Sequence, residues 1–152
     1  IFILNTTNYD KVLTTIKSRC KKIFINASVA ENNEDSIIRA ALNTLEINSS
    51  KQVLSYGNQI TATGEVSQVL NELLIIVSDL IKIKNNLNRF ITNKKYINNL
   101  RVLCEKYNLN TLYNIYKNVN TAQNQIEANC NKNSVIENML LNNLEVKWIH
   151  SA

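Results

Sequence analysis

The chain has no proline and only two glycines in 152 residues, and this feature restricts its fold more than any other. Proline and glycine supply the fixed and left-handed φ values from which tight turns are built. A sandwich or barrel would need such a turn about every 8–12 residues. Helices joined by polar loops need far fewer, so a mainly α-helical chain is expected. Hydrophobic residues make up 45% of the sequence, enough to give every helix an apolar face. The length accommodates one ordinary domain, or two small units at most.

Apolar spacing marks the helices. Ile37, Ile38, Ala41, Leu42 and Leu45 lie on one face of an amphipathic helix. A long helix is predicted over 65–90, where Val66, Val69, Leu70, Leu73, Leu74, Val77, Leu80, Ile81, Ile83 and Leu87 form a stripe wide enough to be covered on more than one side. Tyr96, Ile97, Leu100, Leu103 and Cys104 define a shorter helix. Leu109, Leu112, Ile115, Tyr116, Val119, Ala122 and Ile126 define a longer one, with Asn108 as its N-cap. Ser134-Val135-Ile136-Glu137 has the form of a capping box and predicts a last helix. In that helix Val135, Met139, Leu140, Leu144, Val146, Trp148 and Ile149 should mostly face inward. Over 47–64 only a helical turn at Lys51–Tyr56 is predicted, with breaks at Gly57 and Gly64.

The start of the chain reads differently. Ile1-Phe2-Ile3-Leu4 is a β-prone apolar run leading into the polar loop Asn5-Thr6-Thr7-Asn8. Asp10 is placed to cap a short helix over Lys11–Arg19, and Lys21–Asn26 reads as a second strand. Ala27–Asn33 is a small, polar junction. Three segments follow: an α/β remnant over 1–26, an intermediate segment over 27–64, and a helical bundle over 65–152. The chain opens without Met, so it reads as part of a longer protein.

The sequence also excludes several chemistries. It contains no Walker A loop, no dinucleotide Gly motif, no nucleophile elbow and no metal-binding His pair. Cys20, Cys104 and Cys130 are odd in number, far apart and outside any zinc spacing, which fits a reduced cytoplasmic setting and predicts no metal. His150, the single histidine, stands beside the chain end, and Asp79 and Glu127 read as solvated or paired carboxylates. The stretch from Val69 to Ile83 is interrupted by Asn71, Glu72, Ser78, Asp79 and Lys82, too polar to span a bilayer. The formal charge is +5, enough to favour an anionic partner. The Lys/Asn-rich composition explains a mildly basic surface by itself, and no run of Lys or Arg with interleaved aromatics marks a nucleic-acid groove.

The segment from Asn5 to Cys20 includes a Thr6-Thr7 pair and, after a short helix, Ser18-Arg19-Cys20. It resembles, without a gap, the stretch of bacterial DNA polymerase III clamp-loader AAA+ domains from sensor 1 to the Ser-Arg-Cys motif. The resemblance implies that Arg19 is an arginine finger acting in trans, that Ser18 and Cys20 pack beside it, and that Thr6 or Thr7 occupies the sensor 1 position. A guanidinium suits the role because its planar fork bonds phosphate oxygens and stays charged. Tyr9 and Leu13 stand where the family often carries proline, which leaves this loop less rigid. Arg39-Ala40-Ala41-Leu42 is faintly similar to the sensor 2 region but lacks its glycine.

A second resemblance covers about 70–144 and is to the helical collar of the delta prime family. It is carried by the helix lengths and by Ile126-Glu127-Ala128-Asn129-Cys130-Asn131 followed by Met139-Leu140-Leu141. Together the two imply a non-catalytic subunit, without a cofactor of its own, that assembles with gamma/tau and delta subunits. The assembly would load the sliding clamp on primed DNA using ATP bound by a neighbour, with the phosphate loop and most of the ATPase domain preceding Ile1. A gamma/tau-type ATPase subunit and a basic helical DNA-binding module remain the alternatives.

Overall fold

The long apolar stretch centred on residue 75 forms the axis of the molecule. In a computed structural model of the chain, which describes residues 6, 11–21, 31–62 and 64–149 with the side chains of 31–34 and 149 left aside, seven α-helices occur. They are α1 (Thr14–Lys17), α2 (Glu31–Leu45), α3 (Ser50–Ala62), α4 (Val66–Lys84), α5 (Ile97–Lys106), α6 (Leu109–Glu127) and α7 (Lys132–Ile149). Two 3-10 turns, Asn88–Phe90 and Lys94–Tyr96, lie between α4 and α5. Among the described residues no strand occurs. The predicted strand at Ile1–Leu4, all of the one predicted over Lys21–Asn26 except Lys21, the Asp10 cap, Thr7 and His150 lie outside the described residues.

Helix α4 packs against α6, α2 and α5, and touches α3, while α7 closes the bundle by packing on α6 and α3. Val66, Val69, Leu70, Leu73, Ile76, Val77 and Leu80 of α4 are all buried, and Leu74, Ile81 and Ile83 flank them half-buried. They meet Leu112, Ile115, Val119, Ala122 and Ile126 from α6 and Val135, Ile136, Met139, Leu140 and Leu144 from α7 in one core. Each buried Leu or Ile contributes roughly 1.5–3 kcal/mol relative to an exposed one.

Three boundaries differ from the sequence expectations. Helix α4 stops at Lys84 rather than near Phe90 because Asn86 adopts φ 59°. The Leu87 amide then donates to the Lys82 carbonyl at 2.8 Å and the Asn86 amide to the Ile83 carbonyl at 3.0 Å, the paired bonds of a Schellman end. Helix α6 stops in the same way at Asn129, φ 62°, with the Cys130 amide donating to the Gln125 carbonyl at 3.0 Å. Gly57 does not break α3: it is buried inside the helix, where a Cβ would lie 3.4 Å from Glu137 Cγ on α7. Gly64, at φ 73°, does end that region.

The third is the start of α7. The cap is Asn131, whose Oδ1 accepts from the Ser134 amide at 3.1 Å, so Ser134 falls inside the first turn and the expected box is displaced by three residues. Asn108 caps α6 as expected, accepting from the Thr111 amide at 2.8 Å. Trp148 is 56% exposed rather than inward-facing, and Tyr116 on α6 is likewise exposed.

Candidate functional site

The Ser-Arg-Cys segment sits at the end of a single helical turn. Helix α1 spans four residues rather than Lys11–Arg19 and buries none of them. The Ser18 amide donates to the Thr14 carbonyl at 3.0 Å, and its hydroxyl donates to the Thr15 carbonyl at 3.1 Å. The Arg19 amide donates to the Ile16 carbonyl at 3.1 Å. These bonds fix the backbone up to Arg19, whose side chain is exposed, as are Ser18, Cys20 and Thr6. The Cys20 thiol is free. Such an arrangement presents a cation outward.

Arg39 lies elsewhere, on the exposed face of α2. It belongs to a polar cluster in which Asp35 accepts from the Tyr96 hydroxyl at 2.6 Å and from Lys95 Nζ at 3.0 Å. The Tyr96 and Lys95 bonds hold the Asp35 carboxyl below its usual range, with Arg39 adding a small attraction. The same bonds raise Lys95 and Tyr96 above theirs. This cluster ties the start of α2 to the turn before α5.

Asp79 is the most deeply placed charge. Its side chain is fully buried, 2.8 Å from Lys82 Nζ, and it accepts the backbone amides of Thr92 at 3.0 Å and Asn93 at 2.9 Å. Asn93 also donates to Glu72 Oε1 at 2.7 Å. A buried carboxylate satisfied by three donors is a structural anchor, which agrees with the paired role expected for it. Here it fastens the α4–α5 connector to α4.

A third set joins α2 to α7. Lys147 Nζ donates to the Leu45 carbonyl at 2.7 Å and the Ile47 carbonyl at 2.8 Å, and the Tyr107 hydroxyl also donates to Leu45. These donors occupy the Leu45 carbonyl, which the end of α2 leaves without a helical partner, and the Ile47 carbonyl just beyond it. Burial pulls the Lys147 ammonium down to about 8, with Glu46 opposing the shift, and pushes the Tyr107 hydroxyl up to about 12. Beside them is a cleft of about 380 Å³ lined by Glu46, Lys84, Glu105, Lys106, Tyr107 and Lys147. Its charges are mixed, and it holds neither a nucleophile–base pair nor a cluster of metal ligands; among the described residues no group of three His, Cys, Asp or Glu side chains could hold a metal ion. Cys104 is buried, its thiol donating to the Leu80 carbonyl and pushed up by burial.

Lys147 and Tyr107 carried no sequence signal, because a lysine 100 residues from its acceptor resembles any surface lysine. Among the described residues no helix is long and apolar enough to cross a membrane.

A family model described as DNA polymerase III, delta subunit, C terminal matches residues 35–144. No curated protein and no solved structure matches the chain.

Proposed function

Because the chain belongs to the family defined by the C-terminal region of the DNA polymerase III delta subunit, and so is a clamp-loader component, we propose that its helical bundle is the collar of a delta-prime-type subunit. The collar docks with gamma/tau and delta sisters in the cytoplasm, and the assembly places the sliding clamp on primed DNA. One observation carries this reading: the matched span runs from Asp35 in α2 to Leu144 in α7 and so coincides with the interlocked bundle. The bundle presents helix surfaces and a mixed-charge cleft, the equipment of an assembling part rather than of a catalyst.

Arg19 supports the finer assignment. It is exposed at the end of a hydrogen-bonded turn, so its guanidinium can reach the phosphates of ATP held by a neighbouring subunit, where hydrolysis takes place. Thr6 or Thr7 takes the sensor 1 position in this reading, and Ser18 and Cys20 flank the finger. An arginine finger is worth about 10³-fold or more at the site it serves. Arg19→Ala in the subunit, reconstituted with its partners, is therefore expected to silence one ATP site and slow clamp loading. Undiminished DNA- and clamp-stimulated ATPase in that complex would remove the assignment. A G-x-x-x-x-G-K-[ST] loop elsewhere in the same polypeptide would favour a gamma/tau-type ATPase subunit instead.

A further inference from the structure

Among the described lysines, Lys147 has an unusual setting. Lys82 and Lys95 pair with carboxylates, and Lys51 and Lys117 are exposed on α3 and α6. Lys147 is half-buried, with Nζ 2.7 Å from the Leu45 carbonyl, 2.8 Å from the Ile47 carbonyl and 5.5 Å from the Tyr107 ring centroid. Carbonyl oxygens accept N–H bonds from an ammonium and from a neutral amine alike. A neutral amine has two N–H groups, one for each carbonyl, and a lone pair besides. Burial favours that neutral form, and so does Lys106, a second cation close by, while Glu46 opposes them and leaves the balance at about 8. Desolvation and a neighbouring cation are the two means by which proteins turn a lysine into a nucleophile.

The surroundings suit one kind of electrophile. Lys147 lines the cleft of about 380 Å³ together with Lys84 and Lys106, both exposed. Two cations beside an amine match a small electrophile that carries a phosphate: they attract its charge, and the phosphate is the group that departs when the amine attacks. Glu46 and Glu105 in the same cleft weigh against an extended polyanion.

We propose that Lys147 is a covalent modification site, acylated in this cleft by small acyl phosphates whose phosphate group is held by Lys84 and Lys106. The Nζ lone pair forms a bond to the acyl carbonyl carbon, and the bond from that carbon to the phosphate oxygen breaks with its electrons. Inorganic phosphate leaves, and the nitrogen gives up a proton to water. The amide so formed has one N–H for two carbonyls and no charge, so the contact between the end of α2 and α7 loses a lysine hydrogen bond. The site uses neither Arg19 nor the docking of sister subunits, and its failure would leave clamp-loader membership untouched.

The test treats the full chain with acetyl phosphate and follows each lysine by peptide mass spectrometry. Near neutral pH, Lys147 is expected to be acetylated roughly ten-fold faster than Lys51 or Lys117, because far more of it is neutral and its lower basicity returns only part of that gain. Its rate should level off above pH 8 while theirs keeps climbing. Lys84→Gln with Lys106→Gln should slow acetylation of Lys147 by acetyl phosphate about five-fold. The same double variant should slow it much less with N-acetoxysuccinimide, a donor without a phosphate. The site map and the pH profile come from the unmutated chain, so they do not depend on how the variant folds. Lys147 modified no faster than the two exposed lysines, a rate at Lys147 that climbs with pH as theirs does, or equal slowing with both donors would each overturn the proposal.

Discussion

At the scale of single residues, Asp79 and Lys147 make the two polar commitments on which the bundle most depends. Asp79 is buried with three donors around it, so Asp79→Asn turns an amide toward backbone N–H groups and loses the ion pair. It is expected to destabilise the chain by about 3 kcal/mol in urea unfolding. Lys82→Met, which leaves both backbone donors on the carboxylate, should cost less than about half of that. Equal losses would show that the ion pair, not the amide anchor, dominates. Lys147 gives a pH signature. Its folded value of about 8 lies below its ordinary 10.5, so between those values the unfolded chain binds more protons and stability rises with pH. Below pH 8 the cost of the buried charge is present in full. Tyr107, raised from 10 to about 12, acts oppositely, with stability falling from pH 10 upward. Comparison with Lys147→Met isolates the lysine: the unmutated chain should gain about 1–2 kcal/mol on the variant from pH 8 toward 10, allowing for the solvent the group still reaches. A flat or falling difference in chemical denaturation would contradict the assignment.

At the scale of elements, asparagine takes over the punctuation that glycine and proline do not supply. Asn86 and Asn129 end α4 and α6 in the left-handed region, and Asn108 and Asn131 begin α6 and α7. Asn131→Ala should therefore cost about 1 kcal/mol in thermal or urea unfolding, while Ser134→Ala costs a few tenths. The reverse order would restore the capping box at Ser134. Gly57 stands in the middle of α3, so Gly57→Ala should stabilise by about 0.5–1 kcal/mol, its Cβ reaching no closer than ordinary contact with Glu137. Gly57→Leu should instead wedge α3 from α7 and lower the melting temperature. The positions of α2, α4, α5 and α6 were legible because Ile37 to Leu45, Val66 to Leu80, Leu100 to Cys104 and Leu112 to Ile126 repeat at helical spacing. The ends of α4 and α7 were not, because Asn serves equally inside a polar helix face, at a cap or in the left-handed region. Helix α3 was legible only in part: Val53, Gly57 and Ile60 make a narrow buried edge, and a glycine there reads as a break until α7 is seen against it.

At the scale of the whole molecule, the Leu45–Lys147–Tyr107 contacts and the α3–α7 packing join the early helices to the last one. The bundle should therefore unfold as one unit, with loss of α7 releasing α3 as well. Such a body suits a part that holds its shape within an assembly. The resemblance of Asn5–Cys20 to clamp-loader ATPase domains singles out Arg19 as the proposed finger, because that stretch is a local motif. The partner surface was not identifiable, since exposed apolar residues such as Trp148, Leu141 and Tyr113 lie on helices whose outer and inner faces are both apolar in places. The most direct test of the account is native mass spectrometry of the co-expressed clamp-loader subunits with and without residues 35–144 of this chain. The account predicts a complete hetero-oligomer when the bundle is present and loss of this subunit from the complex when it is deleted. An intact complex that retains the deleted subunit would contradict it.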